Sequence, residues 1–89
     1  MSGLEKYPWT NKIKTLPFVK EVYLYGSRAK GYNADRYDVE IAVICSEGTT
    51  NADWSKVQDI VDNEYKASKV NLVRFNLLKN GKFQKIDLP

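Results

Sequence analysis

The sequence predicts an α+β domain in which a small mixed β-sheet is backed by helices on one face. Three observations predict it. Residues 19–25, 38–45 and 69–75 are runs rich in β-branched and aromatic side chains, the composition of strands. Between the second and third runs, residues 52–66 place Trp54, Val57, Ile60, Val61 and Tyr65 at the spacing of one helical face. The elements are also too short for a doubly wound sheet, so helices can cover one face and leave the other for a site.

Taken in order, residues 1–6 read as a loose start. Pro8 can open a short helix over residues 8–16, because a proline at the first helical position loses no hydrogen bond, although Pro8-Trp9-Thr10 also allows capping at Thr10; Pro17 ends it. The first strand is Val19–Tyr25. Residues 26–31, bounded by two glycines, read as a turn into a short helical segment, and residues 32–37 as a polar loop. In the second strand, residues 38–45, alternation places Val39, Ile41 and Val43 on one face and Asp38, Glu40, Ala42 and Ile44 on the other. A turn-rich loop follows over residues 46–51. In the long helix, Asp53 lies in the first turn, where an acidic side chain suits the helix dipole. The third strand, residues 69–75, sets Val70, Leu72 and Arg74 against Asn71, Val73 and Phe75. Residues 76–86 read as a last short helix, interrupted near Asn80-Gly81. Residues 1–89 thus form a single domain in the order α-β-α-β-α-β-α.

Composition narrows the chemistry. The 89 residues hold 43% hydrophobic and 28% charged side chains, as in an ordinary globular protein, and a chain this short has a thin core. Lys and Arg number 14 against 11 Asp and Glu, a mild basic excess with pI near 9.0. That balance suits a polyanionic ligand but is too slight to make nucleic acid the main partner. The absence of histidine excludes His-based triads and His-rich zinc sites. Cys45 stands alone, so it pairs with nothing in its own chain and reads as a small buried hydrophobe. No long apolar run or signal-peptide pattern is present, which makes the cytoplasm the expected location, away from membranes. Lys79, Lys82 and Lys85 read as a solvated face.

The chemistry concentrates where the first strand meets the second. Gly26 permits close backbone approach, and Ser27 adds a hydroxyl that can donate to a phosphate oxygen. Arg28 and Lys30 supply positive charge beside them. After ten residues that follow Ser27 come Asp38 and Glu40, at i and i+2 of a strand, so both carboxylates face the same way. A phosphate cradle beside paired carboxylates is what a metal–nucleotide site needs, since Mg²⁺ is held by one or two carboxylates plus substrate phosphates. Tyr32 and Tyr37 are the better placed of the nearby tyrosines to stack on a base, whereas Tyr23 and Tyr25 read as sheet residues.

The segment Tyr23-Leu24-Tyr25-Gly26-Ser27-Arg28-Ala29-Lys30-Gly31, followed by Asp38-Val39-Glu40-Ile41-Ala42-Val43, resembles the minimal nucleotidyltransferases (MNT) of the DNA polymerase beta superfamily. Their signature is Gly-Ser, ten residues, then Asp-X-Asp, and the likeness extends over residues 19–86. The resemblance implies a polymerase beta-like nucleotidyltransferase fold. It implies that Gly26 and Ser27 hold the terminal phosphates of a nucleoside triphosphate, with ATP the first candidate, and that Asp38 and Glu40 bind Mg²⁺. A third family carboxylate aligns with Asn71, which makes the implied catalytic set Asp38, Glu40 and Asn71.

Two departures stand out. Glu40 replaces the usual second Asp and adds a methylene, and Asn71 keeps an acceptor oxygen but has no charge and cannot act as a base. The resemblance further implies transfer of a nucleoside monophosphate to an acceptor. It also implies pairing with a helical HEPN-family toxin for which the MNT protein is the antitoxin, acting by adding AMP to a toxin tyrosine, and hence a hetero-oligomer, with a homo-oligomer the other arrangement. The alternative function is an impaired homologue that neutralises its partner by contact.

Overall fold

The computed structural model describes residues 7–25, 39–65 and 69–86. Its elements are helix α1 (Thr10–Lys14), strand β1 (Val19–Tyr25), strand β2 (Val39–Ser46), helix α2 (Asn51–Glu64), strand β3 (Val70–Leu77) and strand β4 (Phe83–Ile86). The four strands form one mixed sheet in the order β1-β2-β3-β4. β1 and β2 are antiparallel, β2 and β3 parallel, and β3 and β4 antiparallel. The parallel pair requires a crossover, and α2 supplies it.

Local chemistry accounts for the elements and for their ends. Before α1, the backbone N–H and hydroxyl of Thr10 both donate to the Tyr7 carbonyl, at 2.9 and 2.8 Å. After α1, Thr15 and Leu16 close in tight bonds to the carbonyls of Lys12 and Ile13. The helix expected over residues 8–16 is therefore confined to its middle, with turns on either side. α2 opens on a capping box: the Thr50 hydroxyl accepts from the Asp53 N–H, and the Asp53 carboxylate accepts from the Thr50 N–H.

The last segment corrects the sequence reading. Residues 76–86 do not form a helix; they complete β3 and return as β4. Leu77 pairs with Phe83 and Arg74 with Ile86. The turn between them depends on Gly81, whose φ is +84°, and on Asn80, whose side-chain oxygen accepts from the Lys82 N–H. Asn-Gly between two strand-forming runs is a hairpin signal. Lys79, Lys82 and Lys85 are exposed there, as expected. The order of the described elements is α-β-β-α-β-β. The short helical segment and loop expected over residues 26–37 lie outside the described residues.

The core lies between the sheet and the two helices. Val22 of β1, Val39, Ile41, Val43 and Cys45 of β2, and Val70 of β3 point toward Ile13 of α1 and Trp54, Val57 and Val61 of α2. Burying each such aliphatic side chain contributes about 2 kcal/mol. Trp9 stacks on Tyr65 with ring centroids 5.8 Å apart, joining the start of α1 to the end of α2. Both described helices pack on this face. Register places Glu40, Ala42 and Ile44 of β2, Asn71, Val73 and Phe75 of β3, and Tyr23 of β1 on the opposite one. Among the described residues, no helix is long and apolar enough to cross a membrane.

Candidate functional site

Glu40 is the second residue of β2, and its position follows from the period-two pattern of that strand. Val39 and Ile41 must face the helices, so Glu40 faces away from them. It is nonetheless only 8% exposed. On one side its backbone lies opposite Tyr25, the last residue of β1 before Gly26; on the other it lies opposite Asn71, the second residue of β3. The end of β1 and the starts of two parallel strands therefore meet at Glu40.

A carboxylate buried to this degree is costly unless it is bonded or balanced by positive charge. Half of Glu40 is accounted for: the Asn71 amide Nδ2 donates to Oε1 at 2.5 Å. The opposite amide orientation would set two oxygens against each other, so the carboxylate itself assigns the Asn71 nitrogen to this contact. The second oxygen, Oε2, is buried and has no hydrogen-bond partner among the described residues. A carboxylate with one oxygen held in place and the other free suits a divalent cation, which takes hard, anionic oxygen ligands. On this observation Glu40 fits Mg²⁺.

Of the residues singled out in the sequence, the structure brings Glu40 and Asn71 into direct contact. Gly26, Ser27, Arg28, Lys30 and Asp38 lie outside the described residues, as do Tyr32 and Tyr37. Asp38 immediately precedes β2 in the chain. Among the described residues, no three His, Cys, Asp or Glu side chains converge on a common point. The Glu40–Asn71 bond is not visible in the sequence, because it depends on the strand register. Its only sequence signal is that both residues interrupt apolar strands near their starts.

A second buried polar group lies on the helix-facing side. Arg74 of β3 is only 4% exposed. Its Nη2 donates to the Thr49 carbonyl at 2.8 Å and its Nη1 to the Asn51 Oδ1 at 3.2 Å, while its guanidinium carbon lies 5.7 Å from the centre of a Trp54 ring. These contacts join β3 to the loop and first turn of α2, a structural use of positive charge. Cys45 is fully buried, and burial pushes its thiol up to about 11 despite the nearby Arg74 charge. It is held as the neutral thiol and has no nucleophilic role at neutral pH.

Comparison with known proteins agrees with this geometry. The chain matches the family model described as "Polymerase beta, Nucleotidyltransferase" over residues 10–86, which is most of its length. No curated protein and no solved structure matches it. The match spans the sheet, the α2 crossover and the Glu40–Asn71 pair together, and the mixed sheet with helices on one face is consistent with that family's fold. The chain belongs to the polymerase beta nucleotidyltransferase family.

Proposed function

We propose that this domain binds a nucleoside triphosphate, ATP first among the candidates, together with Mg²⁺, and transfers its nucleoside monophosphate to an acceptor. The observation that carries the reading is Glu40, a buried carboxylate with one oxygen free of any partner among the described residues, at the junction of three strand ends. In this reading Glu40 and Asp38 hold the cation. Gly26 and Ser27 hold the terminal phosphates, and Arg28 and Lys30 add positive charge. When bound, Mg²⁺ supplies charge neutralisation on the phosphate oxygens.

Transfer joins an acceptor oxygen to the α-phosphorus and breaks its bond to the bridging oxygen, so that pyrophosphate leaves and the acceptor proton passes to solvent. Asn71 cannot take that proton. Its amide orients Glu40, and the chain contributes positioning and electrostatics in place of a third carboxylate. An HEPN-family toxin modified on a tyrosine is the acceptor that the MNT resemblance brings with it, in a cytoplasmic hetero-oligomer.

A second reading rests on Asn71 itself. A neutral amide at this position favours an impaired homologue that neutralises its partner by contact. The readings separate in one experiment: calorimetric titration of ATP into the wild type and Asp38→Ala, with and without Mg²⁺. Binding that requires both Mg²⁺ and Asp38 supports the nucleotide site. Folded protein that binds no ATP rejects it and leaves neutralisation by contact.

A further inference from the structure

We infer that the Asn71 amide occupies the place on Glu40 that a second divalent cation would take, so that the site of this chain holds one cation. This inference deepens the nucleotide-binding reading and rests on it. Two observations carry it. The Asn71 Nδ2 donates to Glu40 Oε1, so an N–H with partial positive charge already lies against that oxygen. Glu40 Oε2, on a side chain more than nine-tenths buried, has no partner among the described residues, which leaves one oxygen of the carboxylate for a metal ion.

Charge leads to the same count. Two divalent ions about 3.5–4 Å apart repel strongly and are held together by anions that bridge them. Glu40 and Asn71 face each other across the parallel β2–β3 register with a combined formal charge of −1, because the amide contributes none. Turning the amide to offer its oxygen to a cation would break its bond to Glu40 and add no charge. Asp38 and the substrate phosphates bring further negative charge to the proposed site, but the Glu40–Asn71 pair itself offers one unpartnered carboxylate oxygen, which serves one ion.

The sharpest prediction concerns Asn71→Asp. That substitution replaces the N–H that donates to Glu40 with a carboxylate oxygen, so the hydrogen bond is lost and a second anionic oxygen ligand faces Glu40. The variant exchanges a contact that needs no metal for one that a cation stabilises.

The test uses the full chain, Mn²⁺ as the probe and a non-hydrolysable ATP analogue at saturation. Bound Mn²⁺ is counted by electron paramagnetic resonance and corrected for Mn²⁺ held by the analogue alone. The expected result is one Mn²⁺ per wild-type chain and two per Asn71→Asp chain. In parallel, Asn71→Asp should melt below wild type without metal and gain more from added Mg²⁺ than wild type does. Two Mn²⁺ ions on the wild type, or one on a folded Asn71→Asp, would overturn the inference while leaving nucleotide binding intact. A wild type that binds no analogue overturns the underlying reading instead. If Asn71→Asp does not fold, the wild-type count still decides.

Discussion

Glu40 and Arg74 are both charged, both buried and both on the central strands, yet they lie on opposite faces of the sheet and differ in how their polar atoms are used. Arg74 faces α2, and two of its three guanidinium nitrogens tie it into the chain that leads to that helix, through the Thr49 carbonyl and the Asn51 side chain; its Nε, buried near Trp54, has no hydrogen-bond partner among the described residues. Glu40 faces away from the helices and has one bond, from Asn71, and one oxygen without a described partner. A buried charge that is bonded to an adjoining loop holds elements together. One left half-bonded at a junction of strand ends costs stability unless a ligand completes it. The difference separates structural polarity from functional polarity within one small domain.

Substitutions can break that comparison or sharpen it. The largest effect on stability should come from Arg74→Ala, which removes the stem packed against Trp54 and leaves the Thr49 carbonyl and Asn51 oxygen unpaired. A loss of about 3 kcal/mol is expected in denaturant titration. A loss below about 1 kcal/mol would mean that Arg74 is not the link between β3 and α2.

Glu40→Gln should behave in the opposite way. Gln keeps an oxygen that accepts from Asn71 and removes the buried charge, so stability should change by less than about 1 kcal/mol. Mg²⁺-dependent ATP binding should nevertheless weaken more than about tenfold, a loss above 1.4 kcal/mol. Unaltered binding in a folded Glu40→Gln protein would remove Glu40 from the site.

The smallest effect should be that of Thr50→Ala, which breaks the capping box of α2 near the Arg74 cluster and away from Glu40. It should cost about 1 kcal/mol and lower Tm by about 4–8 °C in a domain of this size. ATP binding by the folded protein should be unchanged, and a clear drop would show that the two faces are coupled.

Much of the fold was legible in the sequence where side-chain period alone decides the outcome. Val19–Tyr25 forms the strand its composition predicts, and the face of Trp54, Val57 and Val61 is the buried face of α2. The alternation in β2 placed Val39, Ile41 and Val43 together against the helices. The reading failed at residues 76–86. There the local pattern is short, and the decisive facts are pairing of Leu77 with Phe83 and the positive φ of Gly81. Asn80-Gly81 is the turn of a hairpin and not a break in a helix.

The candidate site divides in the same manner. The sequence by itself determined which residue types are available: a Gly-Ser step, acidic residues at 38 and 40, an amide at 71 and no histidine. It also determined that Glu40 must face away from Val39 and Ile41, because strand side chains alternate. Only the tertiary structure decided that Asn71 bonds Glu40 and that Arg74 bonds Thr49 and Asn51 at the start of α2. Both facts depend on the register of two parallel strands whose starts are about thirty residues apart in the chain, together with the seating of the crossover helix. Local propensity carries no information about that register. It is set by burial of the whole apolar face at once, since a slip of one residue would turn every side chain to the wrong side.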